Sequence, residues 1–223
     1  EAGAPEVGVN DAHGSHTTPR ADQPGPRAQL ITGRSKPLGM IEGLDGSFDA
    51  VILIGYHGHA AQTNAVMGHT YSHALRHILI NGTEVGEYGT AGMAAGHHRV
   101  PVVFVSGDQA FAEVAREFFP GVEALAVKEG LGFMAAKTMN PVTARERIAA
   151  GVRPGWSRRR AIAPGSHTTP IVLEVELAMA SHADAAMFVP GMERVNGVRV
   201  RYRAPDAIVA YRVSRLIMML ARD

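Results

Sequence analysis

Cysteine is absent from the 223 residues of this chain. Without a thiol, the protein has no disulfide framework, no thiolate metal site and no cysteine nucleophile. This composition fits a reducing compartment, so we expect the protein in the cytoplasm. A dominant charge of either sign is also missing, because 22 Lys+Arg nearly balance 21 Asp+Glu. No basic surface is therefore expected to attract nucleic acid or anionic lipid, and we expect neither as a partner.

Long hydrophobic runs are missing as well. The longest uncharged, apolar-rich stretch spans residues 50–71, and His57 and His59 interrupt it too early for a membrane span. We therefore predict no transmembrane segment. Apolar residues make up 46% of the chain, which is enough for one core, or for a core domain and a small second lobe.

Four short apolar runs rich in β-branched residues are predicted to be buried strands: 6–10, 49–56, 101–106 and 122–127. Residues 50–54 show no polar alternation, so both faces of that strand are expected to be covered. Helices are predicted at 91–98 and 109–119, the second capped by Asp108. Alternating strands and helices predict an α/β fold with three α/β/α layers around a mostly parallel or mixed sheet.

The character of the chain changes after about residue 137. The pattern predicts the following elements: a helix at 141–150, a linker at 151–165, strands at 171–177 and 198–202 joined through an Asn196-Gly197 turn, and an amphipathic helix at 206–220. We therefore divide the chain into an α/β core at 1–136 and a smaller C-terminal α+β lobe at 137–223.

Candidate metal ligands follow the ends of two predicted strands. His13 lies just beyond the first strand, and His57 lies just beyond the second. Ligand sites of open parallel sheets form outside the carboxyl ends of the strands, so these two histidines are expected to converge. Glu87 opens the next helix and can face the same crevice. Imidazole nitrogen and carboxylate oxygen are common zinc ligands.

Simpler interpretations of the same residues stay open. A histidine at a strand end is often only a loop or capping residue, and Glu87 would stabilise a helix dipole by roughly 0.3–1 kcal/mol. His73 and His77 have i,i+4 spacing but lack the glutamate of a zinc-peptidase helix. Asp11 is expected to be a turn residue, as Asp commonly is.

Several separate motifs resemble the D-aminopeptidase family of zinc metallopeptidases, the dipeptide-operon type called M55. They are residues 9–14 (VNDAHG), 36–45 (KPLGMIEGLD), 48–57 (FDAVILIGYH), 69–72 (HTYS) and 80–87 (INGTEVGE). The resemblance implies hydrolysis of short peptides that contain D-amino acids, two Zn²⁺ per subunit and a ring-forming homo-oligomer. It also implies that His13 and Glu87 hold one metal and that His57 holds the other.

Two departures from the family pattern shape the expected chemistry. The Asp-x-Glu-Gly motif at the family's extreme N-terminus has no counterpart here, so we expect the sequence to lack roughly fifty residues at its start, about one βα unit. Gly68 occupies the position where the best-known form has a cysteine. We therefore expect hydrolysis by metal-activated water, with His69 as a proton shuttle or as a partner of the oxyanion.

Two other functions remain open at this point. The chain would be a catalytically degenerate binding homologue if Gly68 and the absent motif leave the catalytic set incomplete. Alternatively, it would be a different metal-dependent amide hydrolase on the same scaffold. Hydrolysis of D-dipeptides, with and without a chelator, discriminates between these functions.

Overall fold

The computed structural model describes residues 2–221. Glu1, Arg222 and Asp223, which the predicted domain ranges include, lie outside these described residues. The strands are β1 (Val7–Asn10), β2 (Ala28–Ile31), β3 (Val51–Tyr56), β4 (Leu75–Ile80), β5 (Thr83–Val85), β6 (Val102–Asp108), β7 (Glu123–Gly132), β8 (Ala135–Thr138), β9 (Ile171–Leu177), β10 (Glu193–Arg194) and β11 (Arg199–Ala204). The helices are α1 (Glu87–His97), α2 (Gln109–Phe118), α3 (Pro141–Ser157), α4 (Ala180–Ala186) and α5 (Ala207–Leu220), and a short 3-10 helix spans Gly39–Ile41.

A mixed sheet with strand order β3-β6-β7-β8 carries the candidate site. Its first three strands are parallel and β8 is antiparallel, which confirms the predicted α/β class. Helices cover both faces of the central strand β6. Val105 packs with Phe111 of α2 on one side, whereas Phe104 packs near Val152 of α3 on the other. The four predicted strands correspond to β1, β3, β6 and β7.

Strand β3 departs from the expectation that both of its faces are covered. Ile52 and Ile54 are 38% and 56% exposed, so that prediction is wrong. Both side chains face an open cavity, and β3 is an edge strand of its sheet. Strand β1 pairs in parallel with β2 in a separate two-stranded sheet. A cavity of about 570 Å³ lies between β1 and β3, and the exposed isoleucines line it.

The second large sheet has the order β10-β11-β9-β4-β5 and is antiparallel. Its buried face packs against α5 through Ile78, Val175, Tyr211 and Ile217. Strand β9 pairs with β4, so strands from both sides of the predicted boundary at residue 137 share one sheet. The division into two lobes stays a prediction. The predicted turn at Asn196-Gly197 and the terminal helix are confirmed, but the turn joins β11 to the short strand β10 and not to β9.

Helix α3 continues seven residues beyond its predicted end, through a segment that we expected to be a linker. Gly155 lies so close to β6 that an added Cβ would come 2.3 Å from the Val103 carbonyl oxygen. Gly155 thus allows this helix to approach the strand closely. Pro154 lies inside this helix. Across the described residues, no helix is both long and apolar enough to cross a lipid bilayer.

Substitution of Gly107 by alanine is expected to destabilise the protein by about 1–3 kcal/mol, because the close approach of β6 and β3 leaves no room for a side chain. An added Cβ at Gly107 would lie 2.0 Å from the Tyr56 carbonyl oxygen. The matched control is Gly197→Ala, whose Cβ would meet no atom within 4 Å. Urea-induced unfolding measures the free energy of unfolding of both variants and of the unmodified protein. Equal free energies of unfolding would contradict the packing argument.

Candidate metal centre

Three side chains converge at the carboxyl end of β3. His57 follows that strand, His69 lies in the next loop, and Glu87 is the first residue of α1. One ligand atom from each lies within 4.8 Å of the other two, and all three residues are half-buried. Within residues 2–221, no other group of histidine and acidic side chains meets this spacing. The structure therefore brings two predicted metal ligands together with the predicted catalytic histidine.

Backbone carbonyl groups set the orientation of both imidazole rings. His57 Nδ1 lies 2.9 Å from the Gly58 carbonyl oxygen, and His69 Nδ1 lies 2.6 Å from that of Met67. Because a carbonyl oxygen only accepts hydrogen bonds, each Nδ1 carries a proton and donates it. In the neutral rings, both Nε2 atoms then keep a free lone pair, as metal binding or proton acceptance requires. The two ring centroids are 4.3 Å apart.

Glu87 is held in place by the loop that precedes β4. The Tyr71 N–H donates to Glu87 Oε1 at 2.7 Å, from a backbone with the positive φ of 63°. The Tyr71 hydroxyl shares a 2.6 Å hydrogen bond with Thr90, one turn along α1. Burial raises the pKa of Tyr71 to about 12, so the hydroxyl stays neutral at physiological pH. These contacts orient the Glu87 carboxylate toward His69, and the distance from His69 Nε2 to Glu87 Oε1 is 3.6 Å.

The donor set matches the preferences of zinc. Two imidazole nitrogens and one carboxylate oxygen are common zinc ligands, with bond lengths of about 2.0–2.2 Å. Separations within 4.8 Å allow a single ion to reach all three atoms. The position of Glu87 at the helix start also suits the helix dipole. Both interpretations of Glu87 are therefore compatible with its location.

His13 lies apart from this group of three but lines the same cavity as His57 and Glu87. Its loop is well braced. Asp11 accepts hydrogen bonds from the His13 N–H at 3.1 Å and from the Thr18 N–H at 2.8 Å, which confirms Asp11 as a turn residue. The buried Lys36 ammonium donates to the Asp11 carbonyl oxygen at 2.6 Å, and burial lowers the pKa of Lys36.

The brace on the His13 loop extends to the last helix. Arg215 of α5 donates to the carbonyl oxygens of Lys36 and Pro37, at 3.1 and 3.0 Å. Its guanidinium also lies against Gly39, where an added Cβ would come 2.5 Å from the Arg215 Cζ atom. The loop that carries His13 is therefore fixed by residues far away along the chain.

The remaining histidine candidates fall elsewhere. His77 lies in β4, so its i,i+4 spacing from His73 does not correspond to one face of a helix. Its Nδ1 instead contacts Glu84 Oε1 at 2.6 Å.

At Gly68, an added Cβ would lie 2.9 Å from Ala65 Cβ and 3.0 Å from the His59 carbonyl oxygen. Even a small side chain would therefore require the loop to shift at this position.

Sequence reasoning missed one part of the site, the tip of the β7–β8 hairpin. Phe133 at this tip accepts a hydrogen bond from the Met67 N–H at 2.7 Å, and its ring lies 6.0 Å from that of His73. The apolar Leu131, Phe133 and Met134 offered a signal, since they interrupt a polar segment without an obvious core partner.

Comparisons with known proteins give consistent matches. A family model described as peptidase M55, D-aminopeptidase, matches residues 1–216. The D-aminopeptidase of Bacillus subtilis (strain 168) is 34% identical over 221 residues, which cover 99% of this chain and 80% of that protein. A solved structure, described as the Zn-dependent D-aminopeptidase DppA from Bacillus subtilis, a self-compartmentalizing protease, superposes with a TM-score of 0.95. It is 33% identical, and the match covers 99% of this chain and 80% of that chain.

Proposed function

The chain belongs to the D-aminopeptidase family of peptidases, and from this premise we propose that it is a zinc-dependent aminopeptidase that hydrolyses short peptides containing D-amino acids. The observation that carries the proposal is the convergence of His57, His69 and Glu87 at one strand end. The adjoining cavity of about 570 Å³ suits a di- or tripeptide, since small-ligand pockets usually measure about 300–1,000 Å³.

We assign the metal to His13, His57 and Glu87, all of which line the cavity. A site with two zinc ions per subunit would use His13 with Glu87 for one ion and His57 for the other. When bound, zinc would supply a Lewis acid that activates water and polarises the scissile carbonyl. A hydrogen bond from the Tyr71 N–H fixes the orientation of the Glu87 carboxylate, and a hydrogen bond to the Gly58 carbonyl oxygen fixes the orientation of the His57 ring.

We assign the role of proton transfer to His69. Its Nδ1–H is anchored on the Met67 carbonyl, which leaves Nε2 facing the same space as Glu87. A ring held in this way can accept a proton from the attacking water and deliver it to the departing amine. The same nitrogen, once protonated, can also donate a hydrogen bond to the oxyanion. The absence of cysteine makes a thiolate nucleophile impossible in these 223 residues.

Dipeptide hydrolysis tests the proposed function directly. The protein is incubated with D-Ala-D-Ala and with L-Ala-L-Ala at several zinc concentrations, each with and without a chelator. We expect release of free D-alanine that is faster than release of L-alanine and that stops when the chelator removes zinc. Absence of turnover at every zinc concentration would contradict the proposal and favour a binding homologue. Hydrolysis of other amides alone would favour a different amide hydrolase.

We also propose that the protein is a cytoplasmic homo-oligomer. The similar DppA is described as self-compartmentalizing, which requires assembly from several copies. Leu131 and Met134 at the β7–β8 tip are 67% and 80% exposed and offer an apolar surface for such assembly. A monomer in sedimentation velocity at micromolar concentration would contradict the assembly. Recovery of the protein outside the cytoplasmic fraction would contradict the location.

A further inference from the structure

Asp108 makes more contacts than helix capping requires. It lies at the carboxyl end of β6 and is fully buried, with 0% of its surface exposed. Its Oδ1 accepts a hydrogen bond from the Phe111 N–H at 2.7 Å, which caps α2 as the sequence predicts. Its Oδ2 accepts from the Val66 N–H at 2.9 Å and, more weakly, from the Gly58 N–H at 3.4 Å.

Both donors to Oδ2 belong to the segments that orient the histidines of the metal centre. Gly58 follows His57, and its carbonyl accepts the His57 Nδ1–H. Val66 precedes Met67, whose carbonyl accepts the His69 Nδ1–H. One carboxylate oxygen therefore contacts two segments of the β3–β4 loop, each at most one residue from the carbonyl group that orients a ring.

We propose that Asp108 is a positioning residue for the metal centre, which holds the two segments of the β3–β4 loop that carry His57 and His69 so that both Nε2 atoms face Glu87. This inference rests on the proposed function, because it assumes that these rings serve zinc and proton transfer. A cap alone needs one acceptor, and an asparagine or serine provides it equally well. A fully buried carboxylate is costly unless several donors surround it. The hydrogen bonds from Gly58 and Val66, in two segments of the β3–β4 loop, therefore explain the second oxygen of Asp108.

Two substitutions separate positioning from capping. Asp108→Asn retains one oxygen for the cap but presents an NH₂ group to the N–H groups of Gly58 and Val66. Asp108→Ser retains a capping hydroxyl and removes the second oxygen. The matched control is Asp206→Asn, because Asp206 caps α5 through a 2.8 Å hydrogen bond from the Val209 N–H. Both asparagine variants preserve a cap, but the Asp108 variant alone affects the β3–β4 loop that carries His57 and His69.

We expect both Asp108 variants to bind zinc about ten- to a hundredfold more weakly, as is typical when a supporting hydrogen bond behind a ligand is lost. We expect kcat at saturating zinc to fall by a similar factor, whereas Asp206→Asn leaves both values close to those of the unmodified protein. Zinc affinity is measured without substrate, by competition with a chromophoric chelator. ¹⁵N NMR of the metal-free protein reports whether the ring protons of His57 and His69 stay on Nδ1.

The proposal is overturned if both Asp108 variants lose thermal stability but keep the zinc affinity, the kcat and the histidine ring signals of the unmodified protein. Asp108 would then only cap α2. Failure of the proposed function gives a different result. If the unmodified protein binds zinc but cleaves no D-dipeptide, the affinity and NMR comparisons still decide the role of Asp108. If the unmodified protein binds no zinc, the ¹⁵N signals of the His57 and His69 rings decide the role of Asp108.

Discussion

Glu87→Gln is expected to abolish chelator-sensitive hydrolysis of D-Ala-D-Ala, with a loss in kcat/KM of more than about a hundredfold. Loss of a supporting residue behind a ligand already costs about ten- to a hundredfold, and Glu87 is proposed as a ligand itself. Glutamine has the shape of glutamate and retains an oxygen for the 2.7 Å hydrogen bond from the Tyr71 N–H. The substitution therefore removes the charge and leaves the support of the side chain in place.

Glu84→Gln is the matched control for this variant. Glu84 lies three residues earlier and contacts His77 and His59, outside the group of three. We expect this variant to retain zinc binding and activity. If Glu87→Gln also keeps its activity and only loses about 0.3–1 kcal/mol of stability, Glu87 serves the helix dipole alone. Zinc content by mass spectrometry under native conditions accompanies both rate measurements.

His69→Ala is expected to lower kcat by about 10²–10⁴-fold, the usual contribution of a positioned proton-transfer group. Zinc content should stay close to that of the unmodified protein, because His57, Glu87 and His13 are the proposed ligands. Steady-state kinetics at saturating zinc and metal analysis of the same sample measure the two effects.

His73→Ala is the control for His69→Ala. Its ring lies 5.8 Å from that of His69, and the residue is exposed outside the group of three. We expect little change in kcat. A His69→Ala protein that loses zinc together with activity would show that His69 is a ligand and would contradict its assignment to proton transfer. The grouping within 4.8 Å makes this distinction necessary.

The sequence predicts the central sheet and part of the site for one physical reason. Buried strands have a short, apolar and β-branched pattern, and ligands collect where such strands end. This rule makes His13 and His57 candidates, since each ends a strand, and the resemblance to the D-aminopeptidase family supports them and Glu87 as ligands. Asp108 follows from capping, because its side chain accepts a free N–H group of α2.

The rest of the site depends on tertiary contacts that no local pattern encodes. The loop of His69 passes through positive φ values at Asn64, Met67 and Tyr71, none of which is glycine. Those conformations are fixed by partners such as Asp108 and Phe133, which lie far away in sequence. Helix α3 is predicted too short because its extension depends on packing against β6, which Gly155 permits and no local pattern encodes. The strands β2, β4, β5, β8 and β10 and the helix α4 are not predicted.

The contact of Arg215 with the 36–39 segment limits where the chain can be altered without loss of function. Arg215 lies in α5, 179 residues after Lys36, yet its guanidinium supports the segment that braces the His13 loop. A substitution or fusion that disturbs α5 would therefore also disturb the loop of His13. The Asn196-Gly197 turn is a safer insertion point, since a Cβ at Gly197 would meet no atom within 4 Å. Affinity tags and fluorescent labels belong at that turn.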